Sequence, residues 1–68
     1  MTKSQAIASD CKRFAYVYGI ELSGNERTGI AVMQEGYATA FDKWAEVLKV
    51  FQEWRDDNKS FREACISI

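Results

Sequence analysis

Apolar residues recur at alternating steps of three and four positions over a long stretch of the chain, from residue 30 to residue 54. This spacing places their side chains on one side of an α-helix, as in the seam of a helical bundle. Phe41 and Leu48 widen the seam into a face. We therefore predict a long aromatic-rich helix within residues 24–57, kinked or broken near Gly36. The seam consists of Ile30, Met33, Tyr37, Ala40, Trp44, Val47, Phe51 and Trp54.

A second apolar stripe, near the start of the chain, steps by four, three and four residues and predicts a first amphipathic helix over about residues 3–18. Thr2 and Gln5 have the spacing of a capping box at its start. Gly19 stands where a helix commonly ends in a left-handed residue. The stripe consists of Ile7, Cys11, Phe14 and Tyr18.

The remaining signals complete an all-α prediction. Ser23 and Glu26 form a second capping-box pattern at the start of the long helix, and Asn58 is placed to cap a short C-terminal turn through Phe61 and Ala64. A chain of 68 residues has room for one domain, so residues 1–68 are predicted to form a single small helical bundle or hairpin.

An α+β alternative remains open at this point. Residues 14, 16, 18, 20 and 22 are all apolar, and this strict alternation is the period of a half-buried strand. A segment near residues 29–34 could pair with it across the Ser-Gly-Asn-Glu-Arg turn. The alternative is a hairpin over about residues 13–34 followed by one long helix.

Charge and hydropathy narrow the possible partners. The net charge of −1 provides no general positive electrostatic potential that would attract nucleic acid, so nucleic acid is not an expected partner. No apolar run approaches the roughly 20 residues of a membrane span, so no membrane is expected either. Nearly half of the residues are apolar, which excludes intrinsic disorder.

The set of reactive side chains in the sequence predicts that the chain is not an enzyme. The chain has no histidine, and its two cysteines, Cys11 and Cys65, cannot complete a zinc site. Cys11 lies on the apolar stripe, which favours a buried thiol over a nucleophile. The first ten residues form no hydrophobic signal segment, which predicts a reducing cytoplasm and free thiols. We expect no catalytic residue, metal, cofactor or small-molecule substrate.

The aromatic residues indicate a protein-binding role, because nine of them are many for so short a chain. The first helix is too short to cover the whole seam, so part of the seam is expected to meet a protein partner or a second copy in a homodimer. The predicted contact residues are Tyr37, Trp44, Val47, Phe51 and Trp54. The predicted charged contacts beside them are Arg55, Lys59 and Arg62.

Three functions are compatible with this pattern. The first is a stoichiometric inhibitor or modulator of a larger host complex, of the kind carried by phages and plasmids against nucleic-acid-processing or defence machinery. The second is a homodimeric helical regulator that binds nucleic acid. The third is a small structural subunit of an assembly.

Overall fold

The computed structural model describes residues 2–66 and shows an α+β fold with a three-stranded antiparallel sheet in the order β1-β2-β3. Helix α1 precedes the sheet, and helices α2 and α3 follow it. The elements are α1 (Lys3–Tyr18), β1 (Glu21–Asn25), β2 (Gly29–Gln34), β3 (Tyr37–Phe41), α2 (Trp44–Asp56) and α3 (Phe61–Ile66). The all-α prediction is therefore wrong.

The first helix is confirmed with its predicted ends. The Thr2 hydroxyl accepts a hydrogen bond from the Gln5 backbone N–H, and the Gln5 side chain accepts one from the Thr2 N–H. Gly19 follows in the left-handed conformation, with φ of +70°. The three signals lie within the helix or next to it, so the local sequence was sufficient to predict its ends.

The long helix over residues 24–57 does not form. Its first half is β2 and β3, and only Trp44–Asp56 is helical. Ser23 lies in β1, and Glu26 lies in the β1–β2 turn, so they form no capping box. Gly36 is a turn residue with φ of +77° instead of a helix kink. A left-handed backbone is readily adopted by glycine and interrupts a right-handed helix.

The same residues satisfy a strand pattern, which explains the error. On β2, Ile30 and Val32 are buried while Ala31 is exposed, which is the two-residue period of a strand. Ile30, Val32 and Thr39 are β-branched and favour strands. Spacing by three and four residues from Ile30 to Ala40 was therefore compatible with two structures.

The α+β alternative anticipated the fold class but not the extent of the sheet. Its hairpin exists as β1 and β2, with Leu22 opposite Val32. Phe14, Tyr16 and Tyr18 belong to α1 instead, and β3 was not predicted at all. The short C-terminal helix is present, but Ser60 caps it, since the Ser60 hydroxyl accepts from the Glu63 N–H.

The helices and the inner face of the sheet enclose the core. Cys11 lies beside the start of α2, and Phe14, which comes later in α1, stacks on Phe51 in the second half of α2. Helices α1 and α2 therefore run in the same direction. Gly24 has no room for a side chain, because a Cβ there would lie 2.1 Å from the Gly29 carbonyl oxygen. The buried residues are Cys11, Ala15, Ile20, Ile30, Val32, Phe41, Trp44, Val47, Val50, Phe51, Phe61 and Ala64.

Candidate protein-binding site

A cleft of about 430 Å³ opens where the end of α1, the β2–β3 turn and the α2–α3 connection meet. We call it the Trp54 cleft. Three separate segments of the chain contribute to it, so only the folded chain assembles it. The lining residues are Tyr18, Glu35, Trp54, Arg55, Asn58, Lys59 and Ser60.

Stacked aromatic rings support one wall of the cleft. Tyr18 packs against Phe14, with ring centroids 4.5 Å apart, and meets Trp54 edge-on at 5.6 Å. Behind them, Phe14 stacks on the buried Phe51 at 5.0 Å, and Trp54 lies 6.4 Å from Phe61. Such offset and edge-on pairs are favourable. They hold Tyr18 and Trp54 at the surface with little freedom to rotate.

Glu35 fixes the opposite wall. Its carboxylate oxygen Oε2 accepts hydrogen bonds from Trp54 Nε1 at 2.8 Å and from the Phe61 backbone N–H at 3.3 Å. The Glu35 backbone is left-handed, with φ of +55°, and Asn58 across the cleft has the same value. These are the two non-glycine residues with positive φ within residues 2–66. Both are explained locally, because Glu35 begins the two-residue β2–β3 turn and Asn58 follows the C-cap of α2, positions where left-handed residues are common.

Arg55 supplies positive charge at the rim. Its Nε lies 2.7 Å from Asp56 Oδ1, and its guanidinium lies 5.3 Å from the centre of the Phe14 ring. The hydrogen bond to Asp56 raises the pKa of Arg55, with a smaller contribution from Tyr18. The same contact lowers the pKa of Asp56. Both side chains are substantially exposed, so the pair adds little stability and stays accessible to a partner.

The structure divides the predicted contact residues into two groups. Trp44, Val47 and Phe51 are core residues, with at most 5% of their surface exposed. Trp54 lines the cleft together with the predicted charged residues Arg55 and Lys59.

The other two predicted residues lie behind Phe61. Tyr37 is half-buried on β3, with its ring 6.5 Å from that of Phe61. The Arg62 guanidinium lies 6.0 Å from the centre of the Tyr37 ring. Tyr37 and Arg62 therefore flank the cleft without lining it.

The sequence interpretation missed Tyr18, Glu35 and Asn58. Tyr18 was assigned to the buried stripe of the first helix, yet 41% of its surface is exposed. The Glu-Gly pair at residues 35–36, between two β-type segments, resembles the dipeptides of two-residue hairpin turns and was the available signal for Glu35. Nothing in the local sequence indicates that Asn58 comes near it.

The thiols are poorly suited to nucleophilic chemistry. Burial, reinforced by the negative charge of Asp10, raises the pKa of Cys11 to about 11. Burial alone raises the pKa of Cys65 to about 11. Both thiols are therefore protonated at neutral pH, whereas the thiolate is the reactive form. Cys11 is fully buried, as the sequence predicted, and its Sγ lies 3.5 Å from the Trp44 carbonyl oxygen.

Within residues 2–66, no cluster of three or more potential metal ligands is present. None of the helices in this part of the chain is both long and apolar enough to span a membrane.

No protein-family model matches the chain, and no curated protein or solved structure is significantly similar to it. Its function is therefore inferred from its own residues.

Proposed function

We propose that this chain is a non-enzymatic protein-binding module that acts stoichiometrically by covering part of a larger partner. The observation that carries the proposal is the composition of the Trp54 cleft. Tyr18, Trp54 and Arg55 meet there, and tyrosine, tryptophan and arginine are the residues most enriched where binding energy concentrates at interfaces.

The fixed geometry of the cleft supports this role. Trp54 is held by Glu35 through its ring nitrogen, and Tyr18 is held by Phe14 and by Trp54. Side chains that are already ordered lose less conformational entropy when they meet a partner. The cleft is therefore prepared for binding in the free protein.

The rim indicates the chemistry of the partner surface. Arg55 and Lys59 line the cleft, while Glu35 directs one carboxylate oxygen at Trp54 and at the Phe61 N–H. A partner that inserts an apolar or aromatic side chain and carries an acidic group beside it complements this arrangement. Arg55 already donates from Nε and Nη2 to the two carboxylate oxygens of Asp56, at 2.7 and 3.2 Å, so the acidic group of a partner is expected to bind its remaining N–H groups.

We extend the proposal to the biological setting by analogy. Very small proteins without catalytic groups are typical of phage and plasmid accessory factors that disable host machinery. We infer an inhibitor of this type, directed against a nucleic-acid-processing or defence complex.

Site-specific photo-crosslinking tests the proposal. A benzophenone amino acid replaces Tyr18, and the matched control places it at Ser9 on the exposed side of α1. Both variants are added to a nuclease-treated lysate of the encoding organism or, for a mobile element, of its host. We expect one protein to be crosslinked from position 18 and not from position 9, in a complex of fixed stoichiometry.

Substitutions then test the cleft residues against that protein. Arg55→Lys keeps the charge but loses the planar fork, and Tyr18→Ala removes the exposed ring. Each is expected to raise the Kd about tenfold or more, as for other central interface residues. Crosslinking that is equal at both positions would contradict the proposal. Crosslinking that appears only in a lysate without nuclease treatment would also contradict it.

A further inference from the structure

A second groove, of about 270 Å³, runs between α1 and the first strand, with Trp44, the first residue of α2, at its base. We call it the β1 groove. It is distinct from the Trp54 cleft, because the two share no lining residue. The lining residues of the β1 groove are Lys12, Ala15, Tyr16, Ile20, Leu22, Ser23, Gly24 and Trp44.

The groove follows the free edge of the sheet. It is lined by three consecutive residues of β1, Leu22, Ser23 and Gly24, and by no residue of β2. In the order β1-β2-β3, β1 is an outer strand, and within residues 2–66 its backbone pairs with β2 alone. An edge strand presents a row of unpaired N–H and C=O groups. Another extended backbone is the natural complement of such a row.

The side chains around the edge are mainly apolar. Ile20 and Trp44 are buried at the base of the groove, and Leu22 is half-buried beside them. Tyr16 forms the outer wall and has 89% of its surface exposed, the largest fraction among the big apolar residues of the described chain. A ring this exposed is available to cover an incoming chain.

One charge marks the groove. Among residues 2–66, Lys12 is the only charged residue that lines the groove, and its Nζ lies 5.8 Å from the centre of the Trp44 ring. This contact places a positive charge beside the apolar bottom of the groove. An acidic side chain on the incoming segment would find its complement here.

We propose that the edge of β1 accepts an extended segment of a partner protein as a fourth strand of the sheet. Apolar side chains at alternate positions of that segment enter the β1 groove, and an acidic side chain faces Lys12. Addition of a strand to an exposed edge is a common mode of peptide recognition, in which backbone hydrogen bonds give affinity and side-chain pockets give specificity. The inference rests on the proposed protein-binding function and specifies a second contact for it.

The alternative occupants fit less well. A helix satisfies its own backbone groups and would leave those of β1 unpaired. Nucleic acid requires several cations along its phosphates, and the groove offers Lys12 alone. The remaining alternative, the β1 edge of a second copy, is examined in the experiment below.

The experiment selects binders from a phage-displayed library of random 12-residue peptides against the immobilised full chain. We expect the enriched peptides to alternate apolar and polar residues and to share an acidic position. In ¹⁵N-labelled protein, a synthetic enriched peptide is expected to shift and protect the amides of residues 21–25. Two further copies of the peptide are N-methylated at alternate backbone nitrogens, one at the odd and one at the even positions. Weaker binding by one of these copies shows that backbone hydrogen bonds hold the peptide.

Two variants and two matched controls locate the site. Tyr16→Ala and Lys12→Gln alter the groove, whereas Val17→Ala and Lys49→Gln make the same kinds of change at exposed positions outside it. Tyr16→Ala is expected to raise the peptide Kd about tenfold and Lys12→Gln about threefold, with the controls unchanged. All four positions are exposed, so the fold is expected to persist, and circular dichroism verifies this.

Three outcomes would overturn the inference. They are the absence of enriched peptides, binding that the groove variants leave intact, and full binding by both methylated copies. Protection of residues 21–25 that rises with protein concentration alone would assign the edge to a second copy and would also overturn it. Loss of the crosslinked partner in Arg55→Lys but not in Lys12→Gln would retain the proposed function and reject the β1 groove as its contact.

Discussion

Glu26 lies in the β1–β2 turn and contacts both neighbouring helices. Its Oε2 accepts a hydrogen bond from the Trp44 backbone N–H at 3.0 Å, and its Oε1 accepts one from the Ser4 hydroxyl at 2.8 Å. Lys43, the residue before α2, makes no side-chain cap, so the cap of α2 comes from a distant turn. A carboxylate at a helix N-terminus is also favoured by the helix dipole.

This contact predicts a pH dependence of stability. The hydrogen bond from Trp44, followed by that from Ser4, lowers the pKa of Glu26 below its ordinary value of 4.5. A carboxyl whose pKa is lower in the folded state stabilises the fold above the unfolded pKa. That stabilisation is lost as the pH falls through the lower, folded pKa. Thermal unfolding of the wild type and of Glu26→Gln between pH 2 and 7 should therefore show a Tm gap that closes below about pH 4.5.

Glu21→Gln is the matched control, because it removes one carboxylate from the outer face of the sheet and leaves the cap of α2 intact. A gap between wild type and Glu26→Gln that stays constant over the whole pH range would show that the carboxylate charge of Glu26 does not cap α2.

At the scale of elements, the β2–β3 turn determines how α3 docks. Residues 35 and 36 both have positive φ, as a two-residue hairpin of the favoured twist requires. Asparagine tolerates this backbone better than glutamate does. Glutamate is instead long enough to reach Trp54 on α2 and the first residue of α3.

The substitution Glu35→Asn distinguishes the contribution of the turn backbone to stability from that of the carboxylate hydrogen bonds. If the hydrogen bonds of the carboxylate dominate, the substitution lowers stability despite the better turn residue, by about 1 kcal/mol or a fall of roughly 4–8 °C in Tm. Tryptophan fluorescence is expected to shift to longer wavelength as Trp54 loses its partner. Glu35→Ala, which worsens the turn as well, should be less stable still. A variant Glu35→Asn that melts at or above the wild-type temperature would contradict this account.

The elements also show how far the sequence could predict the fold. Helix α1 was predictable because its stripe, its capping box and Gly19 are all local. Tyr37 and Ala40 fit the helical spacing of the seam equally well, but Tyr37 pairs with Gln34 and Ala40 with Ala31 in the sheet. Strand pairing depends on residues elsewhere in the chain, so a periodicity within one segment could not reveal it.

At the scale of the whole molecule, the outer face of the sheet is unusually apolar. Its eight outward positions carry one charged side chain, Glu21, although 28% of the chain is charged. An uncovered face of an antiparallel sheet is normally polar. Most of these side chains are small, and a cavity of about 190 Å³ lies among them. The outward positions are Glu21, Ser23, Asn25, Gly29, Ala31, Met33, Ala38 and Ala40.

This face offers a route to a homodimer that differs from the aromatic seam, through which the sequence predicted one. Ala31 lies at its centre, on the middle strand, with Ser23 and Ala40 beside it. If two copies pack through this face, Ala31→Lys should convert the dimer to a monomer in light scattering across a tenfold concentration range. Ser9→Lys places the same charge on the exposed side of α1 and should leave the dimer intact. A wild type that is monomeric throughout would exclude self-association through the sheet.

The sequence alone determined the features that depend on near neighbours along the chain. These are the ends of α1, the helical character of residues 44–56 with their seam of Trp44, Val47 and Phe51, and the burial of Cys11. Hydrogen bonds within a helix and the faces of its side chains repeat over a few residues, so a short segment contains the information.

The tertiary structure decided which of these residues face a partner. It buried Trp44, Val47 and Phe51, left Trp54 at a cleft, and placed Glu35 and Asn58 opposite each other across 22 intervening residues. Among residues 2–66, it also left the outer edge of β1, beside Tyr16, without a pairing strand. Each outcome depends on how distant segments pack and pair, because burial and strand order are properties of the assembled chain and not of a local pattern.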